Sequence, residues 1–370
     1  MRYFDAFAGY GGFSLGIQRA YETTKNSRVA RKRKCDSSTS WGQEEVNSIG
    51  VGDSQAYRNT HNATDSPQAT CIGYSEIDKY GIEIYQKHFP EHKNYGDLTK
   101  INAEELPDFD LFVGGFPCQA FSIAGKRKGF DDTRGTLFFD IARILRAKQP
   151  RLLLLENVKG LLSHDNGKTF STIISTLDEI GYDLQWQVLN AKHFGVPQNR
   201  ERVFIIGHLR GTSRPEVFPI GNSNPKSLEY VGAIMSENNK KWLEDGKQFS
   251  RNFPQGQRVY NSNGISSTLA SQAGGLGAKT GLYAIKYGQN NPDRNGNTSP
   301  DMFTIKAGGI NAGVTDGMKI RRLTPLECER LMGIPDNWTE GVSDTQRYKL
   351  CGNGVVVNVV EEIMKRVLNH

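Results

Sequence analysis

Between residues 3 and 207, short apolar runs alternate with amphipathic stretches of helical period, and few folds accommodate that alternation. Residues 3–7 read as a strand that ends on Gly9-Tyr10-Gly11-Gly12, and residues 13–21 as the helix after it. Residues 71–75 are the next strand, followed by a helix through Tyr80, Ile84 and Phe89. Residues 109–113 make a third strand, 136–147 an amphipathic helix, 152–155 a buried strand and 169–180 another helix. Strands at 183–189 and 202–207 close the series. Strands joined through helices are crossover connections, so the sequence predicts an α/β fold, a doubly wound and mostly parallel sheet covered on both faces.

Two stretches break the rhythm. Residues 23–70 are rich in Ser, Thr, Asn and Gly and contain the run Arg28-Val29-Ala30-Arg31-Lys32-Arg33-Lys34. They interrupt a helix-to-strand link that normally takes about 2–6 residues, which predicts a surface insertion. Residues 211–322 hold 16 glycines and short strand-like pieces without helices between them. They predict a second, smaller domain of mainly β and loop character. Between residues 209 and 323 there are 15 Lys and Arg against 8 Asp and Glu, a net of +7 in a chain whose total is +6, so the remainder carries −1. The excess of positive charge marks either a polyanion-facing module or a solvated basic surface. Helical periodicity returns at 324–332 and 355–367, so the expected division is 1–208 with 324–370 as one domain, carrying the 23–70 insertion, and 209–323 as the other.

Some classes are excluded early. The five cysteines, at 35, 71, 118, 328 and 351, are odd in number and contain no C-x-x-C pair, against both a disulfide framework and a cysteine zinc cluster. No apolar run approaches the ~18 residues of a membrane span, and Met1-Arg2-Tyr3-Phe4-Asp5 lacks the layout of a secretory leader, so a soluble, cytoplasmic chain without bound metal is expected. A hydrophobic content of 37% with 40 glycines suits a loop-rich globular enzyme better than a helical bundle.

The candidate chemistry collects at strand ends. Asp5-Ala6-Phe7-Ala8-Gly9-Tyr10-Gly11-Gly12 joins the first strand to a helix at the carboxyl edge, where glycines let a ligand approach the backbone; a plain tight turn is the alternative. The next strand ends in Ser75-Glu76-Ile77-Asp78, and an acidic residue there can accept hydrogen bonds from ribose hydroxyls. Gly96-Asp97-Leu98 falls where a third strand edge would meet a base. Three such turns together describe a nucleoside pocket. Cys118, in Gly114-Gly115-Phe116-Pro117-Cys118-Gln119, follows a strand and a turn that should expose it at the carboxyl edge, where basic groups or a helix N-terminus would lower its pKa for nucleophilic attack; an inert core thiol is the alternative. Glu156 closes the apolar run 152–155; burial would raise its pKa for acid work, unless it is simply a satisfied structural carboxylate. Arg200 and Arg202 alternate on one strand face and suit a base edge, a carboxylate, a phosphate or an ordinary ion-pair strand.

Taken together, these residues resemble the cytosine-C5 DNA methyltransferases of bacterial restriction–modification systems and phages. Nine segments follow the family order: 5–12, 74–80, 96–98, 114–125, 134–140, 156–158, 198–202, 321–333 and 348–357. The resemblance implies a Rossmann-like fold that uses S-adenosylmethionine, with 209–323 as its target-recognition domain. It implies Cys118 as the nucleophile, Glu156 on cytosine N3 and the exocyclic amine, and Arg200 and Arg202 flanking the base. It implies a cofactor site of Phe7, Gly9, Gly11, Gly12, Glu76 on the ribose, Ile77 on the adenine face, Asp97 on the adenine amine, Leu98, Pro117, Leu137, Asn353 and Val355. Gln255, Arg258, Thr268 and Ser122 are its implied DNA contacts. Double-stranded DNA is the implied partner of a monomer, alongside a cognate restriction endonuclease acting on the same site. Gly354 departs from the family, which often has Ser or Ala there; a backbone contact to the cofactor survives that change and a hydroxyl contact does not.

The chemistry asks for these groups on its own terms. C5 of cytosine is a poor nucleophile until a thiolate adds at C6, and a proton or hydrogen bond at N3 disperses the charge this creates. A paired base hides C6, so it must leave the duplex. An RNA cytosine-C5 methyltransferase on the same catalytic domain is the alternative; the large basic glycine-rich segment favours duplex DNA. A non-catalytic DNA-binding relic would not need Cys118, Glu156 and Arg200 intact.

Overall fold

The structure is a computed structural model that describes residues 1–36, 69–117, 137–213, 215–221, 230–234, 242–244, 258–261, 266–267, 282–286, 314–315, 318–321 and 323–369. Its main sheet contains β1 (Arg2–Ala6), β2 (Thr70–Ser75), β3 (Leu111–Gly115), β4 (Leu152–Val158), β5 (Tyr182–Asn190) and β7 (Glu201–Leu209), in the order β2-β1-β3-β4-β7-β5. β1, β2, β3 and β4 pair in parallel, while β7 runs antiparallel to both neighbours. The sheet is therefore mixed, as the expected mostly parallel sheet allows. The reason for the reversal is the short link from Asn190 to Glu201, which has no crossover helix and can only return the chain antiparallel.

Side-chain alternation divides the core in two. Leu152, Leu154, Phe204 and Ile206 join Tyr3 and Val113 on one face, and Leu153, Leu155, Val203 and Ile205 join Phe4 and Phe112 on the other. The first face is covered by α1 (Gly12–Asp36), α2 (Lys79–His88), α5 (Pro325–Met332), α6 (Asp344–Asn353) and α7 (Val357–Leu368). The second is covered by α3 (Leu137–Lys148) and α4 (Lys168–Ile180). α7 buries Val357, Val359, Val360, Ile363, Met364 and Val367, and approaches α1 so closely that a Cβ on Gly16 would stand 2.7 Å from Val360. Local signals fix the helix ends. Asp78 caps α2 by accepting from the Tyr80 amide at 3.0 Å, and α5 has Pro325 at its start, a Thr324–Glu327 capping box and Gly333 at its end.

Several boundaries differ from expectation. The first helix does not stop at residue 21 but runs to Asp36, through the first part of the expected insertion, because residues 22–34 are helix-compatible and contain neither Gly nor Pro. The third strand lies two residues later than expected, so Gly114 and Gly115 belong to β3 and not to a turn after it. A Cβ on Gly114 would stand 3.0 Å from the Ala6 carbonyl of β1. α6 was not expected. In the 230–321 region the described residues are strands: β8 (Tyr230–Ile234), β9 (Trp242–Glu244), β10 (Arg258–Asn261), β12 (Leu282–Lys286), β13 (Val314–Thr315) and β14 (Met318–Arg321) form a second sheet, β13-β14-β12-β10-β8-β9. β11 (Ser266–Ser267) pairs instead with β6 (Gln198–Asn199), next to Arg200.

Candidate active site

The parallel strands β1, β2, β3 and β4 all end at one edge, and the reversed β7 begins there, which is how Arg202 reaches the same place as Glu156. The turn after β1 has left-handed backbone at Phe7 (φ 57°), Gly9 (φ 54°) and Gly11 (φ 89°). Its glycines are not equivalent. A Cβ on Gly9 would meet nothing within 4 Å, so this is the residue that leaves room for a ligand. On Gly11 it would stand 2.6 Å from the Phe89 ring, and on Gly12 2.9 Å from Val355 Cγ1. Packing against Phe89 and Val355 therefore requires glycine at both positions and leaves their backbones available at the same turn.

After β2, Glu76 organises the backbone around it. Its Oε2 accepts from the Gly9 amide and its Oε1 from the amides of Ile77 and Asp78, each at 2.8 Å. If each carboxylate oxygen accepts twice, Oε1 is filled and one lone pair remains, on Oε2, for a ribose hydroxyl. Ile77 is 73% exposed, an apolar platform at the edge of the pocket. Asn94 clasps two turns together: its Nδ2 donates to the Glu76 carbonyl at 3.1 Å, and its Oδ1 accepts from the Gly96 amide at 2.9 Å. A Cβ on Gly96 would also meet nothing within 4 Å. Asp97 accepts from the amide and hydroxyl of Thr99, at 3.0 and 2.8 Å, which hold its carboxyl below the usual range. Leu98, directly after Asp97, buries its side chain in the core cluster that also holds Phe4 and Phe138.

At the centre of the edge, Glu156 is buried and pairs with Arg202, Oε1 to Nε at 2.9 Å. Gly115 lies directly opposite it on β3, where a Cβ would stand 3.1 Å from Glu156 Oε2. Burial pushes the Glu156 carboxyl up, and the charges of Arg202 and Arg200 pull it back. Asn157 donates to the Phe116 carbonyl at 2.8 Å, fixing the end of β3 against the end of β4. Pro117, exposed, is the last described residue before Cys118. Leu137 starts α3, half-buried.

Arg200 is not an open clamp beside Arg202. It falls in the break between β6 and β7, is fully buried, and its Nη2 donates to the carbonyls of Gly352 and Gly354 at 2.9 and 2.8 Å. Strand alternation put the two arginines on one face; the end of α6 and Gly354 then cover the first, while the second, with a side chain 15% exposed, turns to Glu156. Burial draws the Arg200 pKa down, to about 9, so it is still a cation at neutral pH. Asn353 ends α6 exposed, and Val355 is buried against Gly12. Arg258 begins β10, opposite Ala233. Cys118, Ser122, Gln255 and Thr268 lie outside the described residues.

Sequence reasoning gave no role to Asn94, Asn157 or Tyr10. The signal for Asn157 was its place beside Glu156; Asn94 and Tyr10 carried none that periodicity or charge would reveal. Cys71, Cys328 and Cys351 are free thiols, and burial pushes Cys71 and Cys328 up to about 12 and Cys351 well above its usual value, so none of the three is a competing nucleophile. Among the described residues no group of His, Cys, Asp and Glu could hold a metal ion, and no helix is long and apolar enough to cross a membrane.

Known proteins resemble this chain in both sequence and fold. Residues 55–369 match the family described as C-5 cytosine-specific DNA methylase. The type II methyltransferase M.HhaI of Haemophilus parahaemolyticus is 37% identical over 321 residues, covering 81% of this chain and 88% of its own. The type II methyltransferase M.NlaX of Neisseria lactamica is 37% identical over 371 residues, covering 98% and 95%. In fold, the crystal structure of the S. pombe Dnmt2 methyltransferase superposes with a TM-score of 0.62 over 100% of this chain and 98% of its own, at 17% identity. The extent of the family match and the identity of these relatives establish that the chain belongs to the C-5 cytosine-specific DNA methylases.

Proposed function

We propose that this DNA (cytosine-5-)-methyltransferase works through covalent addition of Cys118 to a flipped-out cytosine, within a short specific sequence of duplex DNA. The observation that carries the reading is the buried Glu156–Arg202 pair, set opposite Gly115 two residues before Pro117. Cys118 follows Pro117 directly, and the Asn157–Phe116 bond holds the start of that segment against the strand that bears Glu156.

The division of labour follows from these positions. The Cys118 thiolate adds to C6; the C5–C6 π electrons move to C5, which becomes nucleophilic. A carboxyl whose pKa is raised by burial suits donation or sharing of a proton at N3, where addition builds negative charge. Arg202 holds Glu156 in place and keeps a cation beside the base. When C5 carries its new substituent, loss of the C5 proton and departure of the Cys118 sulfur from C6 restore the double bond.

The residues around the edge fit S-adenosylmethionine. Open space beside Gly9 and Gly96, the exposed Ile77 platform and the carboxylates of Glu76 and Asp97 are what a nucleoside needs from a strand edge. When bound, that group supplies an electrophilic methyl on a sulfonium. Gly9, Glu76, Ile77 and Asp97 would hold its nucleoside; Phe7, Pro117, Leu137, Asn353 and Val355 border the same edge. Residues 209–323 act as the target-recognition domain, and Arg258 on β10 is its DNA-facing candidate within the described residues. A transferase that treats one strand at a time works as a monomer, and a restriction endonuclease of the same specificity is its natural counterpart.

The test is Cys118→Ala. Methyl transfer to duplex DNA should be abolished while S-adenosylmethionine binding persists, and wild-type protein should form a denaturation-resistant adduct with 5-fluorocytosine DNA, whose fluorine cannot leave as a proton does. Transfer by the variant within tenfold of wild type, or no adduct with the wild type, rejects the covalent route.

A further inference from the structure

Gly354 is a glycine for want of space, not for its backbone. Its φ of −74° and ψ of 170° are open to any residue. Yet a Cβ built there would stand 2.0 Å from Cε1 of Tyr10, 2.7 Å from Cζ and 2.9 Å from Cδ1. The Tyr10 ring is buried and held at both ends. Its hydroxyl donates to the Val355 carbonyl, and its own carbonyl accepts from Trp338 Nε1 at 2.9 Å. Trp338 is in turn stacked on His88 of α2, ring centroids 3.5 Å apart. On the other side of the ring, Gly12 leaves room for Val355 and for Tyr10 itself, whose Cε2 would be 3.2 Å from a Cβ there.

We propose that Tyr10 is a positioning residue of the cofactor pocket: its ring occupies the volume that a side chain at position 354 would take, and so locks the turn after β1 to the loop after α6. The proposal rests on the reading that this edge holds S-adenosylmethionine. Two walls of the pocket, 344 residues apart in sequence, then form as one unit, with Gly9 open on the ligand side and Val355 seated behind it. Arg200 secures the same loop from the base side through Gly352 and Gly354. Gly354 is therefore not a lost contact but half of an interlock, and restoring a side chain there harms the protein unless Tyr10 is reduced as well.

The experiment compares wild type, Gly354→Ala, Tyr10→Leu, the double variant and Tyr10→Phe, by S-adenosylmethionine titration calorimetry and by the unfolding midpoint of the ligand-free protein. Gly354→Ala should lose at least about tenfold in affinity through overpacking. The double variant should recover to within about threefold of Tyr10→Leu alone, the coupling expected of residues in contact. Tyr10→Phe, which removes only the bond to Val355, should raise KM for S-adenosylmethionine by about 2–10-fold with kcat unchanged. Binding by Gly354→Ala at wild-type strength overturns the proposal, as does a double variant no better than Gly354→Ala. If Gly354→Ala does not fold, a folded double variant supports the interlock, and an unfolded one beside a folded Tyr10→Leu overturns it. Absence of binding by the wild type would instead reject the cofactor reading, while the unfolding midpoints still decide the interlock.

Discussion

Glu156 is pushed in two directions, up by burial and down by Arg202 and Arg200, and the proposed proton donation at N3 depends on that balance. Glu156→Gln keeps the shape and removes the proton, so turnover should fall by about 10²–10⁴-fold while duplex binding, measured by fluorescence anisotropy, changes little. Unchanged turnover would make Glu156 a structural carboxylate. Asp5 is a second carboxyl pushed up by burial, in the core of the sheet. It is fully buried on β1 and accepts from the Ser14 hydroxyl at 2.7 Å; burial pushes its carboxyl up to about 7, Ser14 opposes this, and Glu76 adds to it. In the unfolded chain it titrates near ~3.9. Between about pH 4 and 7 the folded state therefore retains a proton that the unfolded state has released, and stability falls as pH rises through that window. Denaturant titrations of wild type and Asp5→Asn should diverge in favour of the variant from pH 5 to pH 8. Parallel profiles would mean that Asp5 titrates alike in both states. The sequence disclosed Glu156 because a lone carboxylate ends an apolar run. It did not disclose the burial of Arg200, because alternation along a strand says which face a side chain takes and nothing about what later covers that face.

At the scale of elements, α5 and α6 are pinned through one buried carboxylate. Glu329, 0% exposed, accepts from the amides of Asn337 at 2.8 Å and Thr339 at 2.9 Å, from the Thr339 hydroxyl, and from Arg347 Nη2 at 3.0 Å. Arg347→Met leaves that charge buried without its cation, and should destabilise the protein by about 3–5 kcal/mol in equilibrium denaturation. A loss below about 1 kcal/mol would show that the amides and hydroxyl suffice. The same element marks where sequence reading ran out. β4 was legible because Leu152-Leu153-Leu154-Leu155 feeds both core faces at once, and α5 because Thr324, Pro325 and Glu327 announce a start and Gly333 a stop. α6 was not: its buried residues, Leu350, Cys351 and Gly352, cluster at the C-terminal end and give no repeat across its length. α1 was seen only to residue 21 because the apolar periodicity ends there, although the helix does not.

For the whole molecule, the prediction concerns the division of work. If residues 209–323 choose the target, exchanging them for the equivalent segment of a relative should transfer that relative's sequence preference, read by sequencing methylated cytosines in DNA from expressing cells. The charge excess of that segment is the motive, and an active chimera that keeps the original target would refute it. The opposite pole of the molecule has a different lesson. α1 starts beside the turn after β1 and, as the crossover between two parallel strands, runs back from it; at ~1.5 Å per residue its 25 residues span about 37 Å, roughly twice the length of β1. It thus carries Arg28–Lys34 away from Glu156 and past the far edge of the sheet, where Thr70 re-enters opposite Arg2. The described residues that flank the segment, Asp36 at the end of α1 and Thr70 at the start of β2, both lie on the side turned away from Glu156. That makes it a splice point: a fluorescent reporter or an affinity handle inserted there would ride behind the enzyme, visible or tethered, while the catalytic edge stays clear to close on DNA.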